Sequence, residues 1–194
     1  MKNQVLINFA VTSSIFSFIS IVSGKNIVCY FASWTVYRTG NGKFDVSDID
    51  PNLCTHINFA FIGLNADASI FLIDPWESNE PGGYLGFSNL LSLRYTHPSL
   101  KVLVSMGGWN EGAEKYSKMA SDPAMRQKLA RNVINFVDEW GFDGFDLDWE
   151  YPGSREGSDP SIDKEDFTAL LEELTKVLHP RGKILTAAVA GGVE

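Results

Sequence analysis

The sequence has no run of Lys and Arg. Its 16 basic side chains are outnumbered by 24 acidic ones, for a formal net charge of −8. Nucleic acid and anionic membrane surfaces both need clustered positive charge, so both are excluded as principal partners, and a neutral or cationic partner fits better. Cysteine is nearly absent: Cys29 and Cys54 are the only two. No Asn-x-Ser/Thr triplet occurs, so N-glycosylation is not expected. No glycine-rich loop follows the first apolar run of the main body. Tyr30-Phe31-Ala32-Ser33-Trp34 stands there instead, which counts against a dinucleotide-binding fold.

Long apolar stretches are also missing, except for one near the start. Val5 to Val22 is apolar but diluted by Asn8, Thr12, Ser13, Ser14, Ser17 and Ser20, with Lys2 ahead of it and the small residues of Val22-Ser23-Gly24 at its end. This pattern predicts a secretory signal peptide over residues 1–24, a mature chain opening at Lys25 and an extracellular protein. The competing reading is an uncleaved membrane anchor, which the six polar residues weaken. In an exported chain, two cysteines point to one disulfide rather than two free thiols. The loop of 24 intervening residues would then contribute about 3 kcal/mol.

What is present is an ordinary globular composition: 44% hydrophobic and 21% charged in 194 residues, enough for one domain. Short apolar runs recur at Asn26–Trp34, His56–Ile62, Lys101–Trp109, Phe142–Glu150 and Ile184–Ala190. Amphipathic helices are predicted between the later ones. Asp122 can cap a helix opening at Pro123 and ending at Gly141, with Leu129, Val133, Val137 and Trp140 on one face. Asp163 can cap another, with a stripe of Phe167, Leu170, Leu171, Leu174 and Leu178 that His179-Pro180 stops. A shorter helix fits near Ser88–Tyr95. Strands separated by helices imply parallel pairing, which leaves an open doubly wound sheet and a closed (β/α)8 barrel in competition. Several runs end in polar or aromatic groups, as barrel sites do.

Asp143-Gly144-Phe145-Asp146-Leu147-Asp148-Trp149-Glu150-Tyr151-Pro152 carries the chemistry. Alternation along a strand puts Asp146, Asp148 and Glu150 on one face and Phe145, Leu147 and Trp149 on the other. In a barrel the apolar face packs on helices and the acids point inward. Three carboxyls in one interior column cannot all ionise cheaply, so a proton should be shared among them. Glu150, nearest the mouth, is then the natural general acid; Asp148 is its modulator, and Asp146 and Asp143 are deeper supports. A calcium loop is disfavoured by Tyr151 and Pro152, where a flexible glycine and polar ligands would be needed. An oxygen-only cluster could also suit a divalent ion, but the acids read as proton-handling groups, with no metal or cofactor.

Asp143, Asp146, Asp148 and Glu150 match the D-x-x-D-x-D-x-E pattern, and in this the chain resembles family 18 glycoside hydrolases, in particular insect-type animal chitinases. Ser105-Met106-Gly107-Gly108-Trp109, Asn58-Phe59-Ala60-Phe61, Cys29-Tyr30-Phe31 with Trp34, and Ala187-Ala188-Val189 resemble other strands of that family in the right order. The resemblance covers residues 26–194 and implies an α/β (β/α)8 TIM barrel, of which about five strands can be counted here. It further implies a Cys29–Cys54 bridge and cis peptides at Ala60-Phe61 and Glu150-Tyr151. The implied reaction cleaves β-1,4 bonds between N-acetylglucosamine units by substrate-assisted retention. In it Glu150 protonates the leaving oxygen and later activates water, Asp148 holds the acetamido group, and Asp146 shares a proton with Asp148.

By the same resemblance the sugar platforms are Trp34, Phe61, Trp109 and Tyr151, with Tyr30 beneath them and Gly107 and Gly108 at the third-strand turn. Trp140 and Trp149 read as core. The implied partner is chitin or chito-oligosaccharide, bound by a monomer with no membrane attachment after signal cleavage. Residues that the family supplies from its later strands do not occur in residues 26–194, so this chain by itself is expected to be inactive. A non-catalytic chitin-binding lectin is the competing function, and the retained Glu150 argues against it.

Overall fold

The computed structural model describes residues 24–191. The segment predicted as a signal peptide lies outside that range, apart from Gly24. Five strands form one parallel sheet: β1 (Val28–Ala32), β2 (His56–Leu64), β4 (Lys101–Gly107), β5 (Gly144–Asp148) and β6 (Ile184–Ala187). The remaining strand, β3 (Ile70–Leu72), turns back antiparallel on the end of β2 and was not expected from the sequence. Spatial order along the sheet is β1-β2-β4-β5-β6, the same as chain order. A doubly wound sheet must reverse direction at a switch point, whereas barrel winding adds each strand beside the last. The described residues are therefore an arc of a (β/α)8 barrel.

The helices lie where the apolar periodicity placed them. In α4 (Pro123–Trp140), Asp122 accepts from the Ala124 N–H at 2.8 Å, and Gly141 ends the helix in the left-handed region at φ 77°. Leu129, Val133 and Val137 are fully buried. In α5 (Asp163–Leu178), Leu170, Leu174 and Leu178 are buried, and His179-Pro180 begins a 3-10 turn that ends the helix. Asp163 does not cap α5 as expected. It is the first helical residue and fully buried, and its carboxylate instead accepts from the Gly153 N–H (3.0 Å), the Asp159 N–H (2.8 Å) and the Ser117 hydroxyl (2.6 Å). That side chain folds the 151–162 loop back over the helices. The predicted short helix appears as α2 (Gly86–Ser92) followed by a 3-10 turn. Two further short helices, α1 (Pro75–Ser78) and α3 (Glu114–Ser121), carry no long periodic stripe.

The core lies between sheet and helices. Phe59 meets Phe87 of α2 edge-on at 4.7 Å, and Trp149 packs against Phe167 of α5 and Tyr116 of α3 at about 6 Å. Phe145 and Leu147 are fully buried on the same side. The helix-facing parity of β5 is thus odd-numbered, and Asp146 and Asp148 are left on the barrel's inner face. Cys29 and Cys54 are bridged, tying β1 to the segment that leads into β2. No helix among the described residues is long and apolar enough to cross a membrane.

Candidate active site

The inner face of the sheet is polar at its centre. Asp146 is 1% exposed and receives three hydroxyl donors, each from a different strand. Tyr30 of β1 donates to Oδ2 at 2.8 Å, Ser105 of β4 to Oδ2 at 2.7 Å, and Thr186 of β6 to Oδ1 at 2.5 Å. The β4–β5–β6 register sets this up, since Ser105, Asp146 and Thr186 lie side by side in the ladder. The Tyr30 ring stays 43% exposed while its hydroxyl reaches inward; burial and then the Asp146 charge push its phenol up. Asp146 is thus held in place by hydroxyls from three strands.

Asp148 sits one inward position higher and is 4% exposed. Its Oδ1 is buried without a hydrogen-bond partner. Burial, then the charges of Glu150 and Asp146, push its carboxyl up to about 7. Desolvation and like charge both penalise the ionised form, so a proton held here is one that Asp148 can share with Glu150. Glu150 follows the strand end and is half-buried. It alone of the acid column lines a cleft of about 600 Å³.

That cleft runs across the C-terminal ends of the strands, where barrel sites are built. Trp34 and Phe61 form one wall, their rings stacked at 5.9 Å and 22°. Gly107, Gly108 and Trp109 form another, and Asp74, Glu77 and Glu111 add carboxyls. Trp109 is 59% exposed, with the Arg155 guanidinium over its ring at 3.7 Å. Arg155 also donates to the Trp109 carbonyl at 2.6 Å and to the Glu150 carbonyl at 3.4 Å, joining the two loops that carry these residues. Both turn glycines are required by contact. At Gly107 (φ 124°) a Cβ would lie 2.1 Å from the Asp148 carbonyl oxygen, and at Gly108 (φ 84°) 2.6 Å from the Phe61 ring. The peptides Ala60-Phe61 and Glu150-Tyr151 are cis.

Two residues named from the sequence lie elsewhere. Asp143 is not a support of the acid column. It precedes β5 at the opposite end of the strand, on the other parity, and its Oδ2 accepts from Arg94 (3.0 Å) and from the Val102 N–H (2.8 Å). It fastens the sheet's N-terminal rim. Tyr151 is half-buried and is not among the residues lining the cleft. Sequence reasoning missed the roles of Ser105, Thr186, Arg155, Asp74 and Glu77. Strand parity could have placed Ser105 and Thr186 beside Asp146; nothing local pointed to the other three.

Sequential parallel strands, outer helices and an inward acid column at the strands' C-terminal mouth define the class: a (β/α)8 barrel built around carboxyl groups. The Glycosyl hydrolases family 18 model matches residues 26–194, and the chain belongs to that family. It is 40% identical over 167 residues to "Probable chitinase 2" of Drosophila melanogaster, covering 85% of this chain and 34% of that protein. It is 42% identical over 170 residues to the Manduca sexta "Endochitinase", covering 86% and 30%. The chain therefore spans about a third of the length of each of these two relatives. Among solved structures it resembles the Ostrinia furnacalis Group IV chitinase in complex with allosamidin, with TM-score 0.79, 44% identity, and 85% and 44% of the two chains covered.

Proposed function

We propose that the protein is a secreted chitinase that cleaves β-1,4 bonds between N-acetylglucosamine units with retention. One observation carries the reading: a buried acid column ends at Glu150 on an aromatic-walled cleft, and the acid below it, Asp148, has an unpartnered inward oxygen. In the substrate complex the Asp148 side chain turns toward Glu150 and the cleft, and its carboxyl accepts from the substrate's acetamido N–H. Bound this way, the acetamido carbonyl attacks the anomeric carbon and forms an oxazolinium ion while Glu150 protonates the leaving oxygen. Glu150 then takes a proton from water as the water opens the ring. Asp146, fixed by three hydroxyls, opposes ionisation of Asp148 before substrate binds and shares a proton with it, while Asp148 stabilises the positive charge that develops on the sugar.

Trp34, Phe61 and Trp109 serve as stacking platforms, with Gly107 and Gly108 holding the turn beneath Trp109. The relatives named above are chitinases, which supports the substrate class. Export is supported by the apolar leader over residues 1–24 and by the bridged cysteine pair.

The test is turnover of a fluorogenic chitobioside by the full-length protein, later barrel strands included. Glu150→Gln should lower kcat by about 10²-fold or more with little change in KM. Chitin binding without turnover in the unmutated protein, or release of the inverted anomer by NMR, would contradict the proposal.

A further inference from the structure

The Trp34 end of the cleft carries two carboxyls that the proposed reaction does not use. Asp74 caps α1: its Oδ1 accepts from the Glu77 N–H at 3.1 Å and its Oδ2 from the Tyr37 hydroxyl at 2.6 Å. Glu77 lines the cleft and is only 4% exposed, yet no donor among the described residues reaches its carboxylate. Glu111, which also lines the cleft, shows what a compensated acid looks like: it pairs with Lys115 at 2.6 Å and accepts from the Leu64 N–H at 3.0 Å. No Lys or Arg lines the cleft.

A buried carboxylate without a cation or donor is costly, and most such groups are paired. Here burial, then the charge of Asp74, push the Glu77 carboxyl up to about 7. The titratable groups facing it are Asp74 at the helix cap, Tyr37 in the turn after β1 and Tyr84 ahead of α2, none of them cationic. The missing partner is a positive group that enters with the ligand. An N-acetylglucosamine unit is neutral. A unit that has lost its acetyl group presents an ammonium, with three donors and a full charge.

We propose that Asp74 and Glu77 form a subsite for the ammonium of a glucosamine unit, so that the cleft favours partly N-deacetylated chito-oligosaccharides with an acetylated unit at Glu150. The proposal rests on the chitinase reading above, which brings a sugar chain into the cleft.

Its test is calorimetric binding to the full-length Glu150→Gln protein at about pH 7, where Glu77 is substantially ionised and an amine of ordinary α-amino basicity is still largely protonated. The probes are tetra-N-acetylchitotetraose and two tetramers carrying one glucosamine, at the non-reducing or at the reducing end. One singly deacetylated tetramer should bind about tenfold tighter than the acetylated one, and the gain should shrink as salt is raised. Adding Glu77→Gln should bring that gain to about twofold or less while the acetylated tetramer keeps its affinity. Asp74→Asn, which retains a capping side chain, is the second variant should Glu77→Gln not fold; it should weaken the gain in part. Equal affinities for all three tetramers, or a gain that survives both substitutions, overturns the subsite. Failure of even the acetylated tetramer to bind overturns the chitinase reading, and the subsite with it.

Discussion

Asp148→Asn should make the fold more stable at pH 8 than the unmutated protein, although it removes a residue of the proposed chemistry. In the folded chain the Asp148 carboxyl is raised from its ordinary 3.8 to about 7, first by burial, then by Glu150 and Asp146. An acid whose folded value exceeds its unfolded value contributes its full stability below the unfolded value. That stability is lost as pH rises through the folded value. The window is therefore about pH 4 to 7. A rise from 3.8 to about 7 corresponds to roughly 4 kcal/mol, an order-of-magnitude figure for a site 4% exposed. An amide at position 148 does not titrate and can donate to the neighbouring carboxyls. Urea unfolding followed by tryptophan fluorescence at pH 4 and pH 8 reads the difference directly. Glu77 and the other titrating groups outside the acid column are common to both proteins and cancel. The two should be close in stability at pH 4, with the Asn variant ahead by up to about 4 kcal/mol at pH 8. A difference that does not change between the two pH values would refute the burial and charge argument for this column.

Three further outcomes follow from contacts on other elements. Gly108→Ala adds a Cβ 2.6 Å from the Phe61 ring at a φ of 84°, and should cost about 3 kcal/mol in denaturant unfolding while weakening oligosaccharide binding through displaced Phe61. Asp163→Asn weakens three hydrogen bonds to a buried carboxylate and should cost about 2 kcal/mol, with faster limited proteolysis confined to residues 151–162. Replacing Cys29 and Cys54 together by Ser should lower stability by about 3 kcal/mol, read as a lower urea midpoint with a steeper slope because the unbridged unfolded chain exposes more surface.

Much of the site follows from strand parity. Once Gly144–Asp148 is a strand, Asp146 and Asp148 must share a face opposite Phe145 and Leu147, and no tertiary information is needed to say so. The same rule keeps Asp143 out of the column: it differs by an odd number of residues from Asp146, Asp148 and Glu150, so it cannot join them from within the strand. Its partner, Arg94, is 49 residues away in sequence, and no local pattern predicts the pair. The helix stripes of α4 and α5 were legible because burial of one face imposes a 3.6-residue period. The short helix α1 and the β3 hairpin are held by contacts beyond their own few residues, which leave no period to read.

The sequence by itself determined the strand–helix alternation, the inward acids and the outward aromatics, because each depends on residue spacing along one element. Only the tertiary structure decided which hydroxyls from three strands hold Asp146, that Arg155 lies over Trp109, and that Glu77 stands in the cleft wall with no counter-charge among the described residues. Those facts depend on distances between elements remote in sequence, set by sheet register and helix packing.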